Sequence, residues 1–158
     1  MLVLGAGLGS IVHVLRARGL DPRFTLIERD ITVIRWLREI LGDSDARKVD
    51  LVCRDAESFM VQNQHKYDLV FVDVFQGRVV PEFVTAESFL IQCRNSLSPG
   101  GTLALNFIEI DPTQWQEAIA RIAAVFPGCH VVSRNDSRIL ISPPHPAVGT
   151  TAEGGSAE

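Results

Sequence analysis

Short apolar runs alternate with stretches of helical period through most of the chain. Leu2-Val3-Leu4 reads as a buried strand that runs into glycines, and Ile11, Val14 and Leu15 mark one face of a helix closing near Gly19. Residues 24–27 predict a second strand. Asp30 then caps a helix whose stripe is Ile34, Leu37 and Ile40 or Leu41. A third strand spans 49–53, an apolar run in which Cys53 reads as core, and a short helix follows around 56–60. Residues 67–72 are nearly all apolar, as a central parallel strand covered on both faces requires.

A loop containing Gly77 and Pro81 leads to a helix over about 85–97, which Ser98-Pro99-Gly100-Gly101 stops before a fifth strand at 102–107. Asp111-Pro112 opens another helix, with a stripe of Trp115, Ala118, Ile119, Ile122 and Phe126. Two last strands, 130–133 and 138–141, flank the turn Asn135-Asp136-Ser137. The pattern predicts an α/β Rossmann-like three-layer sandwich over residues 1–142, mostly parallel, closed by a C-terminal antiparallel hairpin. From Pro143 to Glu158 the sequence loses all periodicity, which predicts a disordered tail.

Composition narrows the class. The 158 residues fit one domain with a core large enough to need no staple. Cys53, Cys93 and Cys129 are odd in number and show no ligand spacing, so neither a disulfide framework nor a metal site is expected, and a reducing cytoplasm fits best. The net charge of -4, with no basic run, gives no footprint for a nucleic-acid partner. The apolar start lacks a basic segment and a small-residue cleavage site, so it is expected to be the first strand and helix rather than a leader or a membrane anchor. An exposed sheet edge would suit a homodimer.

The chemistry concentrates at strand ends. Gly5-Ala6-Gly7-Leu8-Gly9-Ser10 lies between the first strand and the first helix, where glycines let backbone approach a ligand and helix amides offer donors. Ser10 stands where a dinucleotide fingerprint would have its third glycine, so the motif alone is weak. Glu28 follows Gly9 by 19 positions, the spacing of an acid that accepts from both ribose hydroxyls. Asp55, directly after the third strand, can accept from an adenine amino group or cap the next helix. Asp73 ends the fourth strand near the switch point where such folds bind ligands. His13, His65 and Trp36 read as surface residues, and Tyr67 and Trp115 as packing.

Gly5 to Gly9, Glu28, Asp55-Ala56, Tyr67 to Asp73 and Leu97-Ser98-Pro99-Gly100-Gly101 resemble class I methyltransferases. The run from Asp73 through Pro81, Thr85 and Phe89 is similar to spermidine synthases and their methyltransferase-like relatives. The resemblance implies an S-adenosylmethionine or decarboxylated S-adenosylmethionine cofactor. It would lie against Gly5, Ala6, Gly7 and Gly9, with Glu28 and Arg29 at the ribose and Asp55 and Ala56 at the adenine. Asp73 would border the cofactor and deprotonate the acceptor, and Gln76 and Arg78, with Glu82, would form the acceptor loop.

Aminopropyltransferases of this family carry a second acid three positions after the strand-four Asp, where Gln76 stands, and commonly an Asp where Leu8 stands. Their N-terminal β-stranded domain has no counterpart in this sequence. These departures favour methyl transfer to a small-molecule acceptor, with aminopropyl transfer to putrescine second. A non-catalytic nucleoside-binding or partner module comes third, and an NAD-dependent oxidoreductase lower still.

Overall fold

The computed structural model describes residues 1–42, 48–109 and 111–146. The chain runs β1 (Leu2–Leu4), α1 (Ser10–Ala17), β2 (Phe24–Glu28), α2 (Ile31–Leu41), β3 (Val49–Cys53), α3 (Ala56–Gln62) and β4 (Tyr67–Val72). A 3₁₀ turn (Glu82–Thr85), α4 (Glu87–Asn95), β5 (Leu97–Ile108), α5 (Pro112–Val125), β6 (His130–Arg134) and β7 (Ser137–Ile141) complete it. The described strands form one seven-stranded sheet, ordered β3-β2-β1-β4-β5-β7-β6. The pairs from β3 to β5 are parallel, whereas β7 runs antiparallel to both β5 and β6.

Strand alternation divides the core between the two faces. Val3, Phe24, Leu26 and Val49 pack with Val12 of α1 and with Leu37 and Leu41 of α2. Leu2, Leu4, Ile27, Val70, Val72, Leu103 and Leu105 pack instead with α3, α4 and α5 through Met60, Leu90, Trp115 and Ile122. The three layers and the closing hairpin therefore match the pattern read from the sequence. Asp30 caps α2 by accepting from Thr32 N–H at 2.7 Å, and Asp111 caps α5 through Thr113 N–H at 2.8 Å.

Several local expectations change. The helix placed at 85–97 is a 3₁₀ turn followed by α4, because Ala86 adopts extended backbone between them. Ser98-Pro99-Gly100-Gly101 does not lie outside the fifth strand. It sits within β5, beside a register shift opposite Tyr67–Leu69. Gly101 is needed there, since a Cβ would lie 2.8 Å from the Tyr67 carbonyl oxygen. Cys53 is exposed rather than core, because β3 is an edge strand and Cys53 is its last residue. Of the two candidates for the end of the α2 stripe, Leu41 is buried and Ile40 exposed.

The disordered tail expected from Pro143 does not start there. His145 N–H donates to the Gly101 carbonyl at 2.7 Å, and the His145 carbonyl accepts from Gly100 N–H at 2.8 Å. Residues 147–158 of that expectation lie outside the described residues. Among the described residues, no helix is long and apolar enough to cross a membrane.

Candidate active site

The sheet order gathers the carboxyl ends of β3, β2, β1 and β4 into one rim, and backbone hydrogen bonds stitch that rim together. Arg54 N–H donates to the Glu28 carbonyl at 3.0 Å. Gly5 and Ala6 N–H both donate to Ile27 at 2.9 Å, and Asp73 N–H donates to Leu4 at 2.8 Å. The chain steps from β1 outward to β2 and β3, then returns across β1 to β4, and the crevice opens at that reversal. Gly5 makes the close approach there. Its φ is +84°, and a Cβ would stand 2.3 Å from the Asp73 carbonyl oxygen.

The resulting cavity measures about 490 Å³, in the range of pockets that hold nucleoside-sized ligands. Gly5, Ala6, Gly7, Glu28, Arg29, Asp55, Ala56, Asp73 and Gln76 all line it, as do Leu8, Ser10 and Arg54. Phe71, Phe75, Pro81 and Phe83 supply apolar walls. Gly9 does not line it. Its φ of +76° starts α1, and a Cβ there would sit 2.5 Å from Leu37 Cδ1, so this glycine seats α1 against α2.

Arg78 is also absent from the lining. A bridge between Gln76 and Val79 puts it at an exposed loop tip, where it donates to Asp136 at 2.6 Å. Glu82 opens the 3₁₀ turn and lines a neighbouring groove.

Glu28 is held in place before any ligand arrives. Its Oε2 accepts from Gly7 N–H at 3.1 Å and its Oε1 from Asp30 N–H at 3.0 Å. An ionised carboxylate has about four acceptor positions. Two of these are used by the backbone, which leaves one further acceptor position on each oxygen for hydroxyl donors. Asp55 caps α3 through Ser58 N–H at 3.0 Å and also lines the cavity.

Asp73 sits deeper, and burial pushes its carboxyl above the ordinary Asp range while a hydrogen bond from Asn106 pulls the other way. That bond, from Asn106 Nδ2 to Asp73 Oδ1, spans 2.8 Å. The sequence reading missed Asn106, although an amide inside the otherwise apolar run 103–107 signals a buried partner.

His13, His65 and Trp36 are exposed, whereas Tyr67 and Trp115 are buried. Among the described residues, no cluster of three or more His, Cys, Asp or Glu gathers in a metal-binding arrangement.

Sheet order, strand-end acids and glycine collar define a class I methyltransferase-type Rossmann domain with a nucleoside-sized cleft. Solved structures share the architecture. Human methyltransferase-like protein 13, determined with SAH, superposes with a TM-score of 0.79 at 22% identity, covering 99% of this chain and 73% of that one. A probable spermidine synthase from Corynebacterium glutamicum reaches a TM-score of 0.79 at 23% identity, covering 90% and 55%.

The sequence narrows the class further. Residues 1–132 match the spermine/spermidine synthase domain, and the chain belongs to that family. A polyamine aminopropyltransferase of Neisseria meningitidis serogroup A is 27% identical over 126 residues, which make up 79% of this chain and 48% of the relative. The chain thus spans about half the length of that curated relative.

Proposed function

We propose that residues 1–142 form the donor-binding unit of a transferase that uses S-adenosylmethionine or its decarboxylated form and passes an aminopropyl group to an amine. This reverses the order expected from the sequence, because the family match and the curated relatives named as aminopropyltransferases weigh more than the departures at Leu8, after β1, and at Gln76, after β4. The observation that carries the reading is the convergence of Glu28, Asp55 and Asp73 on one cleft beneath the Gly5–Leu8 turn.

In this reading Glu28 holds the ribose hydroxyls and Asp55 the adenine edge. The sulfonium donor supplies an electrophilic carbon and leaves as a neutral thioether. No protein group is then needed to stabilise the leaving group, and alignment with proton removal becomes the task of the site. Asp73, with its proton affinity raised by burial, takes a proton from the acceptor's ammonium, so that the neutral amine forms the new C–N bond as the donor's C–S bond breaks. Gln76 borders the acceptor side, and Phe75, Pro81 and Phe83 give it apolar walls.

Methyl transfer is the second reading, favoured by the neutral Leu8 and Gln76 in the lining, which place no carboxylate for a cationic aminopropyl or polyamine tail. Incubation with decarboxylated S-adenosylmethionine plus putrescine, and with S-adenosylmethionine plus a panel of amines, separates the two by mass spectrometry. Spermidine supports the first reading, and methylated amine without spermidine supports the second. Tight nucleoside binding without either product would leave a non-catalytic binding module.

A further inference from the structure

The strongest feature outside the nucleoside contacts is a polar line running from the cleft to the terminal hairpin. Asn106 sits on β5, directly beside the β4 end that carries Asp73. Its Nδ2 donates to Asp73 Oδ1 at 2.8 Å, and its Oδ1 accepts from the Ser137 hydroxyl at 3.1 Å. A primary amide can turn either face toward a neighbour, and the wrong face would bring two acceptors together. The Asp73 carboxylate, an acceptor, selects the Nδ2 face, and Ser137, the first residue of β7, donates to the carbonyl end, which restrains the amide and polarises it toward stronger donation.

We propose that Asn106 is a positioning residue for Asp73, restrained and polarised by Ser137, so that its amide donates to Oδ1 and leaves Oδ2 to meet the acceptor. The hairpin thereby becomes part of the site. Its turn residue Asp136 also holds Arg78 from the loop after β4, and its Arg138 pairs with Glu109 at 2.8 Å, so loop, base and hairpin share one anchor. The other charged groups around the cleft are Glu28, Arg29, Arg54, Asp55 and Glu57. None of these is a cause of the Asp73 shift, which comes from burial, opposed by Asn106. A role for Asp73 as base rests on the transferase reading; the coupling of Asn106 to its ionisation does not.

The test is a carbon-13 NMR titration of the Asp73 carboxyl in the whole chain, with Asn106→Leu, Ser137→Ala and Ser137→Thr beside the wild type. Removing a hydrogen bond to the charged form should raise the midpoint by about one pH unit in Asn106→Leu. The rise should be smaller but in the same direction in Ser137→Ala, with return to the wild-type value in Ser137→Thr. An unchanged midpoint in a folded Asn106→Leu protein overturns the proposal. If that variant fails to fold, Ser137→Ala decides alone: a rise supports the coupling and no change refutes it. Absence of transfer by the wild type would remove the transferase reading while the titration still judged the coupling.

Discussion

Replacing Glu28 by Gln removes one charge and changes one oxygen into a donor, with little change in volume. In the wild type both oxygens already accept backbone N–H groups, Gly7 at 3.1 Å and Asp30 at 3.0 Å. The glutamine amide can accept from only one of them, so a donor faces a donor. Water can serve the exposed Asp30 amide, which limits the stability cost to about 1 kcal/mol, or roughly 2–4 °C in melting temperature for a domain this size.

Ligand binding suffers more. Loss of the charged acceptor for the diol costs about 1.5–3 kcal/mol, hence a Kd about ten- to a hundred-fold higher. Calorimetric titration with methylthioadenosine and with its 2′,3′-dideoxy analogue isolates that contact. The wild type should discriminate strongly between the two, and Glu28→Gln should barely do so. Equal discrimination by both proteins would refute the assignment of Glu28 to the ribose.

Further outcomes follow from neighbouring geometry. Gly7→Ala meets no atom within 4 Å, so it should cost only the strain of φ +50°, about 1–2 kcal/mol by urea melting, yet weaken nucleoside binding by placing a methyl in the cleft. Gly9→Ala, pressed against Leu37, should lose stability with little change in the affinity of the folded fraction. Asp73→Asn should be more stable than wild type at pH 8. A raised folded pKa gives stability that is complete below the ordinary Asp range and lost as pH rises through the raised value, so the gap should close toward pH 4 in paired denaturation curves. Cys53 should react with a thiol reagent in the native state, while buried Cys93, its thiol pushed up by desolvation, should react only on unfolding.

What the chain reveals before folding is the part set by local physics. Apolar runs of strand length, Asp30 and Asp111 as caps, and the spacing from the glycine turn to Glu28 place each acid at a strand end, and parallel order then brings those ends together. What escaped depends on pairings distant in sequence. Arg78 finds Asp136 only because β7 inserts between β5 and β6, an arrangement no local pattern encodes. Asn106 acquires meaning only beside β4, and Cys53 lost its expected burial because nothing in an apolar run distinguishes an edge strand from a central one. Gly9 shows the limit of motif reading: its positive φ serves helix packing, though its place in a glycine-rich loop argued for a ligand.

The most direct trial of the central claim is a crystal structure with S-adenosylhomocysteine bound. It should show the ribose hydroxyls on Glu28, the adenine amino group at Asp55 and the sulfur facing Asp73. A nucleoside bound elsewhere, or seated in the cleft with its sugar turned away from Glu28, would contradict the account.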